Sequence, residues 1–110
     1  MIKINVCKDF TDAPGPRYIS QGDFSGEQFR EEWLVPKIKE ALETGDKILV
    51  DLDGTFGYPT SFLEEAFGGL TEIFQKEVIL GTIDFKSNDE VGLIDEIKEY
   101  ISSDERNKKS

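Results

Sequence analysis

Two aspartates, one residue apart, are the side chains of this 110-residue chain best placed to do chemistry. Asp51 and Asp53 lie in the stretch Asp51-Leu-Asp-Gly-Thr55, directly after the apolar run Ile48-Leu-Val50. A carboxylate at the end of a strand can act as a nucleophile, and a second carboxylate can bind magnesium or transfer a proton. The same five residues can also simply end a core strand and begin a turn. The surrounding elements decide between these interpretations.

The aspartate motif resembles the first motif of the haloacid-dehalogenase phosphatases. The resemblance implies that Asp51 attacks phosphorus, that Asp53 acts as acid and base, and that magnesium offsets the charge. Thr82, closing a second strand, and Lys86 fit the second and third motifs. That family also needs a further acidic pair at another strand end and a flap after its first motif, and the sequence predicts neither. We therefore interpret the aspartates as ending a strand, with no metal site, and keep a magnesium-dependent phosphatase as the alternative.

Composition excludes several kinds of site and partner. There is no histidine, so His-based triads and His-ligated metals are excluded, and the single cysteine, Cys7, cannot form an internal disulfide. We expect Cys7 to pack as a small hydrophobic side chain. The net charge of −10 argues against nucleic acid and anionic membranes as partners, because their phosphates would be repelled. No apolar run has transmembrane length and no signal peptide is evident, so we predict a cytoplasmic protein without a cofactor.

Four stretches have the composition of strands. Residues 2–6 alternate apolar and polar side chains, which is typical of a half-buried strand. Tyr18-Ile19 is a short candidate. Residues 48–52 are apolar on both sides, as in a central strand covered on two faces. Residues 78–85 form the last predicted strand.

The first and the last of the three predicted helices have recognisable start or stop residues. A capping box at Ser25 starts the first, Pro36 predicts a kink or break within it, and Gly45 ends it. Asn88 or Asp89 is expected to start the last. The order of elements predicts right-handed crossovers and an α/β fold, with a mostly parallel sheet of about four strands. Residues 1–101 form the predicted domain and 102–110 a frayed charged tail.

The middle helix carries the most informative local pattern. Ser61 and Glu64 form a second capping box, in which the serine caps the helix. Behind it, Gly68 and Gly69 lie within the predicted helix at a cost of roughly 1 kcal/mol each relative to alanine. We therefore expect a close contact there, either packing on the sheet or a docking groove. The glutamates of this helix are expected to face solvent, and Arg17 is expected to make a surface ion pair.

Three segments together resemble the STAS-like domain family of unknown function, which is related to the STAS domains of bacterial anti-sigma factor antagonists. They are residues 25–36, residues 48–70 and the closing strand and helix, so the resemblance covers about residues 17–100. Residues 61–70, Ser-Phe-Leu-Glu-Glu-Ala-Phe-Gly-Gly-Leu, are the most specific part. The resemblance implies a mixed sheet with helices packed against it.

The resemblance also implies regulation by binding. In anti-sigma factor antagonists, a partner kinase phosphorylates a hydroxyl at the N-terminus of the helix that follows the central strand. Thr60 occupies that position and Ser61 lies beside it, while Pro59 and Phe62 stand where that family has aspartate and glycine. A phosphate there would add about −1.5 to −2 charge and block an acidic or tightly packed partner.

We therefore predict a non-catalytic regulatory module that binds a signalling protein. The resemblance implies partner-switching, with a kinase-like ATPase as the partner. The candidate phosphoacceptors are Thr60 and Ser61, with Thr60 preferred because Ser61 is expected to cap the helix. The predicted partner-binding residues are Tyr58, Pro59, Phe62 and Glu65. A small-ligand sensor using the same loop remains a further alternative.

Overall fold

Three parallel strands form the sheet of this protein. The structure, a computed structural model, describes residues 1–103. The strands are β1 (Ile2–Asn5), β2 (Ile48–Asp51) and β3 (Ile83–Lys86), and they lie in the order β1-β2-β3. Each pairs in parallel with its neighbour along four residues. The predicted α/β class and the central position of β2 are confirmed.

The predicted strand count is slightly too high. The described part of the chain has three strands, all parallel, rather than a mixed sheet of about four. The extra candidate was Tyr18-Ile19, but Ile19–Gln21 is a single 3₁₀ turn. The Gln21 side chain accepts a hydrogen bond from the Tyr18 amide at 2.9 Å, and this local bond closes the turn.

The first helical segment is continuous but irregular. It consists of α1 (Gly26–Phe29), a π turn (Arg30–Leu34) and α2 (Val35–Thr44). Ser25 Oγ accepts a hydrogen bond from the Gln28 amide at 3.0 Å, so the predicted cap is confirmed. The irregularity expected at Pro36 is the π turn just before it. Pro36 cannot donate to the preceding turn, and widening that turn relieves its clash with a carbonyl. Gly45, at φ +71°, ends α2 as predicted.

Residues 52–103 contain three helices and a 3₁₀ turn. They are α3 (Thr60–Ala66), the 3₁₀ turn (Gly68–Glu72), α4 (Lys76–Thr82) and α5 (Leu93–Ser102). The strand predicted over residues 78–85 is wrong in its first half, because residues 78–82 belong to α4. A short apolar run cannot distinguish a buried helix from a strand by periodicity alone. Thr82 therefore ends a helix and does not close a strand.

The last helix begins later than predicted. Leu93, and not Asn88 or Asp89, is its first residue, and Gly92 in the left-handed region precedes it. Asn88 and Asp89 belong instead to the loop before this helix, and their backbone amides donate hydrogen bonds to Asp53. The helix ends at Ser102, so residue 102 is ordered helix rather than tail. Residues 104–110 of the predicted tail lie outside the described residues.

The helices cover one face of the sheet. The rows Ile2-Ile48-Ile83 and Ile4-Val50-Phe85 point into the core, whereas the row Lys3-Leu49-Asp84 is exposed at both edges. The expectation that β2 is covered on both faces is therefore wrong. Charged residues at the ends of the alternate row explain why this face tolerates solvent. The core comprises Ile4, Val6, Phe29, Leu34, Ile38, Ala41, Ile48, Val50, Leu52, Phe62, Leu63, Ala66, Phe67, Leu70, Ile79, Ile83, Leu93, Ile97 and Ile101.

None of the helices in residues 1–103 is both long and apolar enough to span a membrane.

Candidate functional site at the carboxyl ends of the strands

Three loops leave the sheet at one edge. The first loop (residues 6–12), most of which is a π turn (Val6–Phe10), follows β1. The second loop (residues 52–59) follows β2 and the third loop (residues 87–92) follows β3. Because all three strands are parallel, their carboxyl ends meet at this edge. Open α/β sheets bind their ligands at such edges, so this is the candidate functional site.

A row of polar side chains ends the strands. The register places Asn5, Asp51 and Lys86 side by side. Asp51 Oδ2 accepts a long hydrogen bond from Asn5 Nδ2 at 3.4 Å and lies 3.7 Å from Lys86 Nζ. Asp51 Oδ1 accepts a hydrogen bond from the Asp53 amide at 3.0 Å. Asp51 therefore ties its own strand to both neighbours and starts the turn of the second loop.

Asp53 and Asp89 join the second and third loops reciprocally. Asp53 Oδ1 accepts hydrogen bonds from the amides of Asn88 at 2.7 Å and Asp89 at 2.9 Å. In return, Asp89 Oδ2 accepts a hydrogen bond from the Gly54 amide at 2.8 Å. Bonds from backbone amides to carboxylates are charge-assisted, so this arrangement fixes one loop against the other.

The first loop is fixed to the second by two further contacts. Cys7 Sγ donates to the Gly54 carbonyl at 3.2 Å, and the Phe56 amide donates to the Asp12 carbonyl at 2.8 Å. Gly54 has φ +95°, and a Cβ there would lie 3.3 Å from Cys7 Sγ. Cys7 is half-buried against this glycine. All three loops are thus connected by hydrogen bonds.

The two aspartates singled out for chemistry are engaged in these loop contacts. Thr82, fitted to a second phosphatase motif, is the last residue of α4, before the start of β3, and does not lie at the carboxyl edge with Asp51. Lys86 does lie beside Asp51. Among residues 1–103, no group of three or more histidine, cysteine, aspartate or glutamate side chains is arranged to hold a metal ion.

The aromatic residues near the start of α3 face inward. Phe62 is completely buried, with its ring centroid 6.0 Å from those of Phe29 and Tyr58. Tyr58 is half-buried and its hydroxyl donates to the Leu52 carbonyl at 2.9 Å. Burial raises the pKa of Tyr58 well above its usual value, since the phenolate would be poorly solvated. Phe62 therefore offers no side chain to a partner on the surface.

The predicted capping box at Ser61 is wrong. α3 begins at Thr60, and its N-cap is Pro59, which makes no side-chain cap bond. Glu64 does not reach back toward the helix start, because its carboxylate is paired with the Arg17 guanidinium. Thr60 and Pro59 are exposed, whereas Ser61 is half-buried. The hydroxyl at position 60 is therefore the more accessible of the two candidate phosphoacceptors.

Thr60 lies against the last helix. Its side chain lies near Tyr100, whose hydroxyl donates to Glu96 Oε2 at 2.7 Å. Burial and the neighbouring Glu96 carboxylate together raise the pKa of Tyr100 to about 12, since both disfavour the phenolate. The surroundings of Thr60 thus contain a phenol and the carboxylates of Glu96 and Glu64.

A buried ion-pair cluster fixes α3 against the first helical segment. Arg30 Nη1 donates to Glu65 Oε2 at 2.6 Å and to the Glu65 carbonyl at 2.7 Å, and Arg17 lies 3.4 Å from Glu65 Oε1. Burial alone would lower the pKa of Arg30, but its hydrogen bonds with Glu65 and Glu31 raise it. Glu65 is only 5% exposed. The prediction that it faces solvent and contacts a partner is therefore wrong.

The close contact expected at the paired glycines lies in this cluster. A Cβ on Gly69 would approach Arg30 Nη1 to 2.3 Å, and one on Gly68 would lie 2.9 Å from Glu64 Oε2. The missing side chains therefore make room for the ion pairs rather than for the sheet. Both glycines lie in the 3₁₀ turn after α3, not within the helix.

Two exposed apolar side chains at the strand ends were not singled out from the sequence. Phe56 in the second loop is 87% exposed and Val91 in the third is fully exposed. Between these loops is a cavity of about 210 Å³, lined by Leu52, Thr55, Phe56, Gly57, Tyr58, Ser87, Asp89, Glu90 and Leu93. The available signal was an aromatic residue between two glycines, Gly54 and Gly57, in a loop after the central strand.

Comparison with known families finds a match over most of the chain. A family described as a STAS-like domain of unknown function matches residues 25–93. These residues run from the cap of α1 to the first residue of α5, and so include β2, β3 and the second and third loops. No curated protein and no solved structure matches the chain.

Proposed function

The chain belongs to the STAS-like domain family of unknown function, and on that premise we propose that it is a non-catalytic regulatory module that binds another protein. The observation that carries the proposal is the 87% exposure of Phe56 on a loop fixed by hydrogen bonds on both sides. A large apolar side chain exposed on a rigid loop costs little entropy when it is buried by a partner. The contact surface consists of Phe56, Pro59 and Thr60 together with the exposed part of the third loop.

Phosphorylation of Thr60 is the proposed means of regulation. The exposure of Thr60 and its position as the first residue of α3 support this role, as does the family relationship. A phosphate on Thr60 would add about two negative charges near the carboxylates of Glu64 and Glu96 and beside Tyr100. Like-charge repulsion would then reshape the surface beside Phe56 and weaken partner binding. A kinase-like ATPase is the proposed partner.

The hydrogen bonds of Asp51 and Asp53 support a structural role for these carboxylates. Both are engaged with backbone amides at distances of 2.7–3.0 Å. The competing function is a magnesium-dependent phosphatase. It is tested by incubating the purified protein with magnesium and a generic phosphoester, beside an Asp51→Asn variant. We expect no turnover that depends on Asp51, and turnover lost in the variant would establish the phosphatase instead.

The size of the cavity bears on the third alternative, a small-ligand sensor. Sites for small molecules commonly have volumes of about 300–1,000 Å³. The cavity of about 210 Å³ between the second and third loops is smaller and is closer to the size of one side chain. Protein binding is therefore favoured over small-ligand sensing.

A capture experiment tests the proposed function. The wild-type protein and single variants are immobilised in equal amounts, and proteins retained from a lysate of the source cell are quantified by mass spectrometry. We expect a specific protein to be retained by wild type and by Leu42→Ala, a control at an exposed apolar residue on α2, and lost with Phe56→Ala. Thr60→Glu should weaken retention. Equal retention by wild type and Phe56→Ala would reject the proposed surface.

Ser61→Glu separates regulation at Thr60 from regulation at its neighbour. If Thr60→Glu and Ser61→Glu both leave retention unchanged, the phosphorylation proposal fails even where Phe56→Ala abolishes binding. Circular dichroism and thermal unfolding of each variant establish that it is folded before its binding is compared.

A further inference from the structure

We infer that the partner segment bound at the strand ends is a basic peptide whose central bulky apolar side chain fills the cavity between the second and third loops. This inference rests on the proposed protein-binding function and names the chemistry of its partner. It depends on the cavity, on the apolar groups beside it and on the charge of the three loops.

The cavity has an apolar floor and a polar rim. Leu52 and Leu93, each 2% exposed, and the half-buried ring of Tyr58 lie among its lining residues. Ser87, Asp89 and Glu90 line its other side. A volume of about 210 Å³ accepts one large aliphatic or aromatic side chain. Moving that side chain from water onto the apolar floor is favourable.

Apolar contacts continue outside the cavity. Phe56 lines it and remains 87% exposed, while the fully exposed Val91 follows Glu90 in the third loop. Val91 lines an adjoining depression of about 380 Å³, which shares Ser87 and Glu90 with the cavity. An extended peptide can therefore place one side chain in the cavity and cover the exposed apolar groups on either side of it.

The charge of the three loops determines which net charge the bound peptide should have. The three loops contain one basic residue, Lys8, and five acidic ones. The acidic residues are Asp9, Asp12, Asp53, Asp89 and Glu90. Lys86, at the end of β3, lies 3.7 Å from Asp51, so the charges of these two residues cancel each other. A peptide with lysine or arginine on both sides of its apolar residue is therefore attracted, and an acidic peptide is repelled.

The cavity is also formed before a peptide arrives. The amide and carboxylate bonds of Asp53 and Asp89 join the loops on its two sides. The hydroxyl of Tyr58 is bound to the Leu52 carbonyl, which fixes the ring that forms part of the floor. A site that needs no reorganisation loses less conformational entropy on binding.

Fluorescence anisotropy with four labelled peptides of equal length tests the inference. One is lysine-rich with a central phenylalanine, the second is lysine-rich with alanine at that place, and the other two replace lysine by glutamate. We expect the basic phenylalanine peptide to bind the full chain at least about tenfold more tightly than the other three. Its affinity should fall as sodium chloride is raised, because salt screens exposed charges.

Paired variants locate the binding. Phe56→Ala and Glu90→Lys should each raise the Kd of the basic phenylalanine peptide about fivefold or more. The controls are Leu42→Ala and Glu43→Lys, which make the same kinds of change at exposed positions of α2. These controls should change the Kd by less than about twofold. Equal effects of Glu43→Lys and Glu90→Lys would show a response to overall charge and would overturn the inference.

Other occupants give distinct results. If the protein shows no preference for the basic phenylalanine peptide, the inference is overturned. The proposed function still stands in that case if the capture experiment shows a partner that is lost with Phe56→Ala. Dimers in sedimentation velocity that Phe56→Ala dissociates would place a second copy of the chain on this surface and would likewise overturn the inference.

Discussion

Gly69 lies directly beneath the guanidinium of Arg30, so close that a Cβ at position 69 would approach Nη1 to 2.3 Å. The glycine therefore allows the pairing of Arg30 with Glu65 between the first helical segment and α3. This contact joins two parts of the chain separated by 35 residues in sequence.

Gly69→Ala should lower the free energy of unfolding by about 2–3 kcal/mol, because the methyl group displaces a buried, paired guanidinium. The matched control is Gly81→Ala in α4, where a Cβ meets nothing within 4 Å. That change should stabilise the protein by up to about 1 kcal/mol through helix propensity. Urea unfolding measures both. Equal effects of the two substitutions would contradict the packing described for Arg30.

Asp53→Ala should lower the free energy of unfolding by about 1–2 kcal/mol, since the amides of Asn88 and Asp89 lose their acceptor. Asp53→Asn should restore part of the loss, because its amide oxygen can accept the same bonds. Asp84→Ala, on the open face of the sheet, should change stability by less than about 0.5 kcal/mol. Chemical denaturation with all three variants checks this order. A loss with Asp84→Ala as large as that with Asp53→Ala would refute it.

Phe62→Ala should cost about 3–5 kcal/mol of stability, since the ring is completely buried among other aromatic side chains. Phe56→Ala should change stability by less than about 0.5 kcal/mol, because that ring is 87% exposed. Thermal and urea unfolding compare the two. If Phe56→Ala were as destabilising as Phe62→Ala, the ring would have to be packed in the core and could not be presented to a partner.

Stability should fall steeply at alkaline pH. The pKa of Tyr100 is raised to about 12 in the folded protein, and that of Tyr58 is also raised. The unfolded chain releases these protons at about pH 10, so their contribution is complete below that pH and is lost as the pH rises through the folded values. Unfolding free energies measured between pH 8 and about 11.5 should therefore decline above pH 10.

The Tyr58→Phe variant isolates one of these groups. Without the hydroxyl, the Leu52 carbonyl loses its bond and stability at pH 8 should drop by about 1 kcal/mol. The alkaline decline should become shallower, because one titrating group has been removed. Parallel pH profiles for the variant and wild type would show that Tyr58 does not titrate with unfolding.

Local signals in the sequence predicted much of the fold. The cap at Ser25, the left-handed Gly45 and the central position of β2 are confirmed. Each could be predicted because it depends on residues that are close together in the sequence. The strand predicted over residues 78–85 is wrong for residues 78–82, which belong to α4, since the short apolar run Val78-Ile-Leu80 fits either element. What decided between them was packing against other elements, which a local pattern does not contain.

The site was predicted less completely because its contacts are long-range. Glu64 had the spacing of a capping residue to Ser61, but its charge is paired with Arg17, 47 residues away in sequence. A charged pair formed in the fold outweighed a weak local bond. Likewise, Phe62 is buried because α3 packs on α1, where its ring stacks on that of Phe29. The sequence around Phe62 does not reveal this long-range contact.

The one-sided cover of the sheet leaves both edge strands and one face in contact with water, an arrangement that in many proteins invites self-assembly. Here each edge strand spans only four residues, and the outward positions carry Lys3 in one and Asp84 and Lys86 in the other. An incoming strand from a second molecule would have to bury these charges for very few backbone bonds. The protein is thereby guarded against fibril growth along its sheet, even though its core is closed on one side alone.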